Sequence, residues 1–184
     1  MRKDRETYGI EIAGLHRELE LFEIKPGVRI AILNILGDTE LVQACANALT
    51  KKLEGVDFDV LVTAEAKSIP IAYALSVSTK KPFVVLRKTY KLYMGDALCS
   101  ETYSITTGEK QTLFLDEKDR SLIKDNKIVI IDDVISTGST LQGMHAILEK
   151  AGATVVAEAA ILTEGDRGKW SEIISLGHIP IFLD

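Results

Sequence analysis

The stretch Ile128-Val-Ile-Ile-Asp-Asp-Val-Ile-Ser-Thr-Gly-Ser-Thr140 decides the fold of this chain. The run of β-branched residues from Ile128 to Ile131 predicts a fully buried strand. Two adjacent carboxylates, Asp132 and Asp133, come where that strand is expected to end. A short turn of small residues follows, and apolar residues then recur at helical spacing until a stop signal of Lys150 and Gly152. The stretch therefore predicts a strand, a tight turn and a helix.

Such a unit suits a phosphorylated sugar. The first N–H groups of a helix have no partner inside the helix, and the helix dipole adds partial positive charge there. Small residues allow a phosphate to approach, and hydroxyl groups can donate to its oxygens. We assign this role to Ser136, Thr137, Gly138, Ser139 and Thr140. The two aspartates would accept hydrogen bonds from sugar hydroxyls at the carboxyl end of a central strand, where open α/β sheets bind ligands.

This motif resembles the site for 5-phosphoribosyl 1-pyrophosphate (PRPP) in type I phosphoribosyltransferases. The resemblance rests on the apolar run, the acid pair and the hydroxyl and glycine loop in fixed order. It implies an α/β fold with a mainly parallel central sheet flanked by helices, a small hood from the N-terminal segment and a flexible hairpin lid. The alternative is an ordinary strand-to-helix turn with an acidic pair on the surface. A Walker P-loop is excluded because the chain has no G-x-x-x-x-G-K-[ST] pattern.

Composition limits the class of protein. The chain has 184 residues, of which 46% are hydrophobic, enough for one domain with a sizeable core. Its net charge of −5 argues against general nucleic-acid binding. Only two cysteines, Cys45 and Cys99, are present, so reduced intracellular thiols are expected. No signal peptide or membrane-spanning run is found, and we expect a cytoplasmic protein that does not bind membranes.

Hydrophobic periodicity predicts the order of the elements. We expect an N-terminal helix over residues 6–22, a strand within 28–35 and a helix from residue 39. Further strands are predicted at 60–63, 83–86, 155–162 and, as an edge strand, 179–183, with a helix over 71–77 and a hairpin whose turn is 107–110. The simplest organisation is one domain over 1–184: N-terminal helix and hood near 1–40, core at 57–165, and flexible hairpin at 93–115.

Two basic or amide-rich segments resemble the parts of the family that hold pyrophosphate. The loop after the first core strand carries Glu65, Ala66, Lys67 and Ser68, where the family often has arginine and then glycine. Arg87, Lys88 and Lys91 follow the next strand, on the same rim as Asp132. The alternatives are a normal strand-to-helix connection for the first segment and a solvated charge run for the second.

Recognition of the base is assigned to two residues. Asn34 resembles an asparagine of the hood in xanthine-type members, although its side chain could equally cap a turn. Glu164 resembles the position that borders the purine, and it could equally neutralise Arg167. We read Trp170 as a packing residue and not as a platform for the base.

The resemblance implies transfer of ribose 5-phosphate from PRPP to a purine base, with release of pyrophosphate and formation of a nucleoside monophosphate. Asp132, Asp133, Arg87 and Lys88 would be the catalytic residues. Mg²⁺ would be bound mainly through PRPP and water, with no direct protein ligand. A homodimer is also implied. The alternatives are a non-catalytic PRPP sensor and an orotate or other pyrimidine enzyme, and the sequence leaves the base open.

Overall fold

The computed structural model describes residues 5–103 and 110–183. Within those ranges the chain forms eleven strands and four α-helices, besides short 3-10 turns. In chain order they are β1 (Thr7–Ile12), β2 (Leu15–Lys25), β3 (Val28–Ile32), α1 (Thr39–Lys52), β4 (Val60–Ala64), α2 (Ile69–Thr79), β5 (Phe83–Leu86), β6 (Leu98–Tyr103), β7 (Lys110–Leu115), α3 (Arg120–Ile123), β8 (Lys127–Ile135), α4 (Ser139–Lys150), β9 (Thr154–Glu164), β10 (Ile174–Ile179) and β11 (Phe182–Leu183).

The central sheet has the strand order β10-β9-β8-β4-β5, and every pair in it is parallel. Strand β8, which the opening motif predicted, lies in the middle. Because all five strands run the same way, their carboxyl ends meet at one edge of the sheet. The predicted α/β fold with a mainly parallel central sheet is confirmed.

Helices cover both faces of this sheet. Along β8, Val129 and Ile131 pack into a core shared with α1 and α2, whereas Ile128 and Ile130 pack into a core shared with α4. This alternation follows from the two-residue period of a strand, and burial on both faces explains why the run is apolar throughout. Each fully buried side chain of this size contributes about 1.5–3 kcal/mol of transfer free energy, which holds the rim of the sheet in place.

The predicted N-terminal helix over residues 6–22 is wrong. Strands β1 and β2 form an antiparallel hairpin and join β3 in a second sheet. Ala13 (φ 52°) and Gly14 (φ 82°) make a two-residue turn whose positive φ values match the twist of a hairpin. The alternation of Tyr8, Ile10 and Ile12 carries the strand signal. The helical spacing of other apolar residues in the same segment concealed it.

The expected edge strand over 179–183 is also partly wrong. Ile179 is the last residue of β10, which pairs with β9, and the strand ends before Pro180. Phe182 and Leu183 then pair with β3, so the C-terminal segment closes the N-terminal sheet. The aromatic rings of Phe182 and Tyr8 also contact each other edge to face, with their centroids 5.2 Å apart. Residues near both ends of the chain therefore pack together on this sheet.

The predicted hairpin is present as the antiparallel strands β6 and β7. Residues 104–109, which include all but the last residue of the predicted turn at 107–110, lie outside the described residues, and Lys110 is the first residue of β7. The base of the hairpin is anchored, because Leu113 and Leu115 are buried and the backbones of Arg87 and Phe114 are paired. Among the described helices, none is long and apolar enough to cross a membrane.

Candidate active site

The two aspartates of the opening motif belong to strand β8 itself. Sequence analysis placed them at the strand's end, but the pairing with β9 continues past Asp132 to Ile135. Both carboxyl groups are buried, with relative exposures of 9% for Asp132 and 6% for Asp133. The Asp133 N–H donates to Asp132 Oδ1 at 2.8 Å. The sheet therefore fixes the acids rigidly, one residue apart, near its carboxyl edge.

Burial and the neighbouring carboxylate shift the pKa of Asp132. Burial raises the pKa of Asp132 above its usual range, and the neighbouring Asp133 carboxylate raises it further. Lys67 opposes this effect, since its ammonium lies 2.8 Å from Asp133 Oδ2. That contact lacks hydrogen-bond geometry, so among the described residues Oδ2 has no donor. Asp133 therefore offers a buried acceptor to a ligand hydroxyl.

Residues Ser136–Thr140, here called the phosphate loop, form a tight bend between β8 and α4. Gly138 has φ +84°, and a Cβ added to it would lie 2.6 Å from Trp170 Cη2. Both observations require glycine at this position. The loop and Asp132 line a cavity of about 100 Å³. A single water needs roughly 10–15 Å³, so the cavity has room for a phosphate group beside the acids.

The hydroxyl groups of the phosphate loop already have protein partners. Thr137 Oγ1 and Ser139 Oγ are 3.1 Å apart, and Thr140 Oγ1 contacts the Gln111 side chain of β7 at 3.3–3.4 Å. Ser136 Oγ donates to Glu164 Oε1 at 3.2 Å. The contact with Gln111 joins the phosphate loop to the hairpin. Sequence analysis missed it because Gln111 lies 29 residues from Thr140 and no local pattern marks it.

The residues assigned to pyrophosphate lie at the same carboxyl edge of the sheet as the acid pair. They are Glu65, Ala66, Lys67, Ser68, Arg87, Lys88 and Lys91, and they are here called the pyrophosphate region. Arg87 Nε donates to Glu65 Oε2 at 2.5 Å, and the Lys88 N–H donates to Glu65 Oε1 at 2.5 Å. Arg87 also donates to the hydroxyl of Tyr93 at 3.2 Å, a neighbour that sequence analysis did not assign to pyrophosphate. Burial alone raises the pKa of Glu65, but the hydrogen bonds from Lys88 N–H and Arg87 outweigh it and lower the pKa. Glu65 thus links the loop at 65–68 to the segment at 87–91 through these hydrogen bonds.

The remaining residues of this region differ in exposure. Ala66, Lys67, Lys88 and Lys91 are exposed, whereas Ser68 is buried and donates to Ala64 O at 2.8 Å. Within the described ranges, no hydrogen bond uses the N–H groups of residues 66–68. Lys67 Nζ also donates to Leu33 O at 3.2 Å and so connects the acid pair to the segment after β3. Backbone amides and ammonium groups therefore remain available at this rim.

The two residues assigned to the base have different surroundings. Asn34 is exposed, and its Oδ1 accepts from Leu36 N at 3.2 Å, which is the turn-capping role that the sequence left open. Glu164 is 6% exposed, and no ion pair with Arg167 is found among the described residues. Burial raises the pKa of Glu164, while Ser136 and the charge of Lys67 lower it. The charge of Lys67 therefore acts on both Glu164 and Asp132.

The acids of the rim do not form a metal-binding cluster by themselves. In the part of the chain that the structure describes, no group of three or more His, Cys, Asp or Glu side chains could hold an ion. Asp132 lines the phosphate-sized cavity, and Asp133 is its buried neighbour in β8. A divalent cation at this rim would need further oxygens from a ligand or from water.

Comparison with known proteins gives a consistent picture. A family model described as a phosphoribosyl transferase domain matches residues 32–174. The hypoxanthine/guanine phosphoribosyltransferase of Methanococcus voltae is 38% identical over 127 residues, which cover 67% of this chain and 64% of that protein. The adenine phosphoribosyltransferase of Thermosipho africanus is 35% identical over 150 residues, covering 79% of this chain and 85% of that protein.

A solved structure resembles the fold. The adenine phosphoribosyltransferase of Thermoanaerobacter pseudethanolicus superposes with a TM-score of 0.72 at 24% identity, covering 87% of this chain and 95% of that one. The likeness at this level of identity concerns the arrangement of the chain. It agrees with the parallel sheet flanked by helices.

Proposed function

Because this chain belongs to the phosphoribosyltransferase family, we propose that it transfers the ribose 5-phosphate group of PRPP to a purine base, releasing pyrophosphate. The family predicted from the sequence is confirmed, and its purine branch is supported by relatives named for hypoxanthine, guanine and adenine. The observation that carries the proposal is a phosphate-sized cavity whose wall includes a buried aspartate of the acid pair. In a bound sugar phosphate, the phosphate would occupy the cavity and the sugar would lie beside the aspartate.

The phosphate loop would hold the 5′-phosphate. Ser136, Thr137, Ser139 and Thr140 line one small cavity together with the start of α4. Each hydroxyl that now contacts a protein group can turn to donate to a phosphate oxygen. The Gly138 backbone can approach the phosphate closely because it carries no side chain.

The acid pair would hold the ribose and stabilise the transition state. Asp133 Oδ2 forms an ion pair with Lys67 at 2.8 Å that lacks hydrogen-bond geometry, and a ribose hydroxyl would donate a hydrogen bond to it. Transfer passes through a ribose ring that gains positive charge, and fixed carboxylates stabilise such charge most strongly where water is excluded. Rigid placement in β8 means that little reorganisation is needed during the reaction.

Leaving of pyrophosphate would be assisted from the pyrophosphate region. The possible donors are the ammonium groups of Lys67, Lys88 and Lys91, the guanidinium of Arg87 and the free amides of residues 66–68. Of these, Arg87 is now paired with Glu65 and Lys67 with Asp133. Mg²⁺ would be held mainly by oxygens of PRPP and water, which it prefers, with the carboxylates of Asp132 and Asp133 on the same rim. When bound, it would neutralise charge on the leaving group.

Closure of the hairpin at 93–115 would exclude water from the reaction. The contact between Gln111 and Thr140 gives the hairpin a direct link to the phosphate loop. Exclusion of water matters because water competes with the base as a nucleophile. We also propose, from the family resemblance, that the protein acts as a homodimer in the cytoplasm.

The test is a substrate panel. The purified protein is incubated with PRPP, Mg²⁺ and, separately, adenine, hypoxanthine, guanine, xanthine and orotate, and both pyrophosphate and nucleotide are quantified. We expect equal amounts of pyrophosphate and a purine nucleoside monophosphate. Binding of PRPP without turnover of any base would instead support a PRPP sensor, and turnover of orotate alone would support a pyrimidine enzyme.

A further inference from the structure

Gln111 of β7 lies beside the phosphate loop and contacts a residue that lines its cavity. The described lining of that cavity includes Thr140 and not Gln111. The side-chain amide of Gln111 places both of its polar atoms next to one hydroxyl, with Nε2 at 3.3 Å and Oε1 at 3.4 Å from Thr140 Oγ1. Both residues are half-buried, so this contact is less exposed to competing water than one on the open surface. Thr140 is therefore the residue through which Gln111 would act on a bound phosphate.

The fold holds Gln111 against the first turn of α4. Gln111 is paired across the hairpin with Thr102, and Leu113 lies two residues further along the same face of β7. A Cβ added to Gly143 of α4 would lie 3.1 Å from Leu113 Cδ1 and 3.2 Å from Thr102 Oγ1. The absence of a side chain at Gly143 thus lets the hairpin pack closely on the helix, which brings Gln111 within reach of Thr140.

A carboxamide can keep its hydrogen bond to a hydroxyl whether or not that hydroxyl donates its proton elsewhere. A hydroxyl has one O–H donor and two acceptor lone pairs, whereas a carboxamide has an acceptor oxygen and two N–H donors. Without phosphate, Thr140 can donate to Gln111 Oε1. Under the proposed function a phosphate oxygen takes that donation, and Gln111 Nε2 can then donate to Thr140 Oγ1 instead. Because both amide atoms lie at nearly the same distance from Oγ1, the exchange needs little movement of either backbone.

We propose that Gln111 is a positioning residue for the 5′-phosphate of PRPP, which keeps the proton of the Thr140 hydroxyl directed at the phosphate. The inference rests on the proposed function and adds a residue of the hairpin to the phosphate site. A hydroxyl that accepts from Gln111 Nε2 has its own proton left for the phosphate. Binding of the phosphate and docking of the hairpin on α4 consequently stabilise each other.

The experiment measures the dissociation constant of PRPP by calorimetric titration, with Mg²⁺ present and without a base, so that no turnover is needed. Gln111→Leu keeps the approximate size of the side chain and removes both polar atoms. We expect it to weaken PRPP binding about five-fold to ten-fold, the usual cost of one lost hydrogen bond. Gln111→Glu can accept from Thr140 but cannot donate to it, so it should weaken binding at least as much.

The matched control removes another hydrogen bond between the hairpin and α4. Lys150 Nζ donates to Cys99 O at 3.1 Å, at the opposite end of α4 from the phosphate loop. Lys150→Met should bind PRPP within about two-fold of wild type, since exposed contacts of this kind contribute little. If Gln111 only anchored the hairpin, Lys150→Met and Gln111→Leu would weaken binding equally, and that result overturns the inference.

A double-mutant cycle with Thr140→Val tests whether Gln111 acts through that hydroxyl. In the Thr140→Val background, Gln111→Leu is expected to change the dissociation constant by less than about two-fold, because the partner through which it acts is already gone. Losses that multiply overturn the inference, as does a Gln111→Leu variant that binds PRPP like the wild type. If Gln111→Leu does not fold, Gln111→Glu decides in its place. A wild type that binds no PRPP overturns the proposed function itself, and this outcome is distinct from unaltered binding in the Gln111 variants.

Discussion

The phosphate loop and the pyrophosphate region both face anions, but they are built in opposite ways. The phosphate loop, Ser136–Thr140, contains no charged side chain and depends on amides, hydroxyls and the start of α4. In the pyrophosphate region, two of the cations are already paired, Arg87 with Glu65 and Lys67 with Asp133. The phosphate loop has no ion pair to break when phosphate binds. Arg87 and Lys67, in contrast, must leave their protein carboxylates or share them with the bound pyrophosphate.

This difference suggests that the phosphate loop serves to bind PRPP, whereas the pyrophosphate region acts when the leaving group departs. The amides of the phosphate loop are fixed dipoles, so phosphate binding requires only that the loop hydroxyls turn away from their present partners. A cation held by a protein carboxylate is positioned but partly neutralised, so pyrophosphate must compete for it. Since Lys67 touches both Asp133 and Leu33 O, its movement on ligand binding would reach the acid pair and the segment after β3 together. The predictions below test this contrast, from the largest effect to the smallest.

The acid pair lies between the two regions and should matter most. Replacing both acids, Asp132→Asn with Asp133→Asn, removes the negative charge that stabilises the ribose in the transition state. We expect turnover to fall by about a hundred-fold to a thousand-fold or more, since comparable electrostatic groups contribute that much. Steady-state release of pyrophosphate measures it, and thermal melting checks that the variant folds.

The control for the acid pair is a second pair of aspartates at the other end of the sheet. Asp57→Asn with Asp59→Asn changes residues that precede β4, where they contact Lys127. Its turnover should stay within about two-fold of wild type, because solvent screens exposed charges. Near-normal turnover in the double variant of Asp132 and Asp133 would refute the catalytic role assigned to the acid pair.

Gly138→Ala tests whether the phosphate loop is prebuilt. The substitution places a side chain at φ +84° and within 2.6 Å of Trp170. We expect the free energy of unfolding to fall by about 1–3 kcal/mol, the usual cost of such backbone strain, together with weaker PRPP binding. Denaturant unfolding and PRPP titration measure the two effects.

Gly27→Ala separates the strain from the contact. Gly27 has φ +73°, but an added Cβ would meet no atom within 4 Å. This variant should lose about 1 kcal/mol from the positive φ alone and keep wild-type PRPP affinity. If Gly138→Ala binds PRPP as tightly as Gly27→Ala does, the fit between the loop and Trp170 has no part in phosphate binding.

Arg87→Lys tests the paired side of the comparison. Arginine donates to Glu65 and Tyr93 at the same time, and one lysine ammonium cannot reproduce that fork. We expect kcat/KM for PRPP to fall about ten-fold, which corresponds to about 1.4 kcal/mol. Arg5→Lys, at the exposed ion pair with Glu20, is the matched control and should change kcat/KM less than two-fold, since exposed pairs are worth about 0–1 kcal/mol. Equal effects in the two variants would show that Glu65 does not position Arg87.

The same contrast explains what the sequence could reveal. The phosphate loop and β8 were predictable because their signals are local: an apolar run, two acids, small residues and a helix pattern within one stretch. Pairings such as Arg87 with Glu65 or Lys67 with Leu33 join residues 22 and 34 positions apart, and no local pattern encodes them. The N-terminal hairpin was misread because its apolar residues fit both a helical and an alternating period.

The last prediction concerns the charge that the acid pair carries in the absence of ligand. Burial raises the pKa of Asp132, so the folded protein binds a proton more tightly there than the unfolded chain does. The contribution of this group to stability is therefore most favourable below its unfolded pKa and is lost as pH rises through its folded pKa. An asparagine does not titrate. The Tm of Asp132→Asn relative to wild type should consequently increase from pH 5 to pH 8.

Asp57→Asn provides a control of opposite sign. The hydrogen bond from Lys127 lowers the pKa of Asp57, so that carboxylate stabilises the fold above its unfolded pKa and loses this effect as pH falls. The Tm of Asp57→Asn relative to wild type should be lower at pH 8 than at pH 3, by a small amount because the pair is exposed. If the Tm difference for Asp132→Asn did not increase with pH, the acid pair would carry no excess proton before the ligand arrives. The charge for the ribose would then be fully present in the free protein, and binding of PRPP would not need to release a proton.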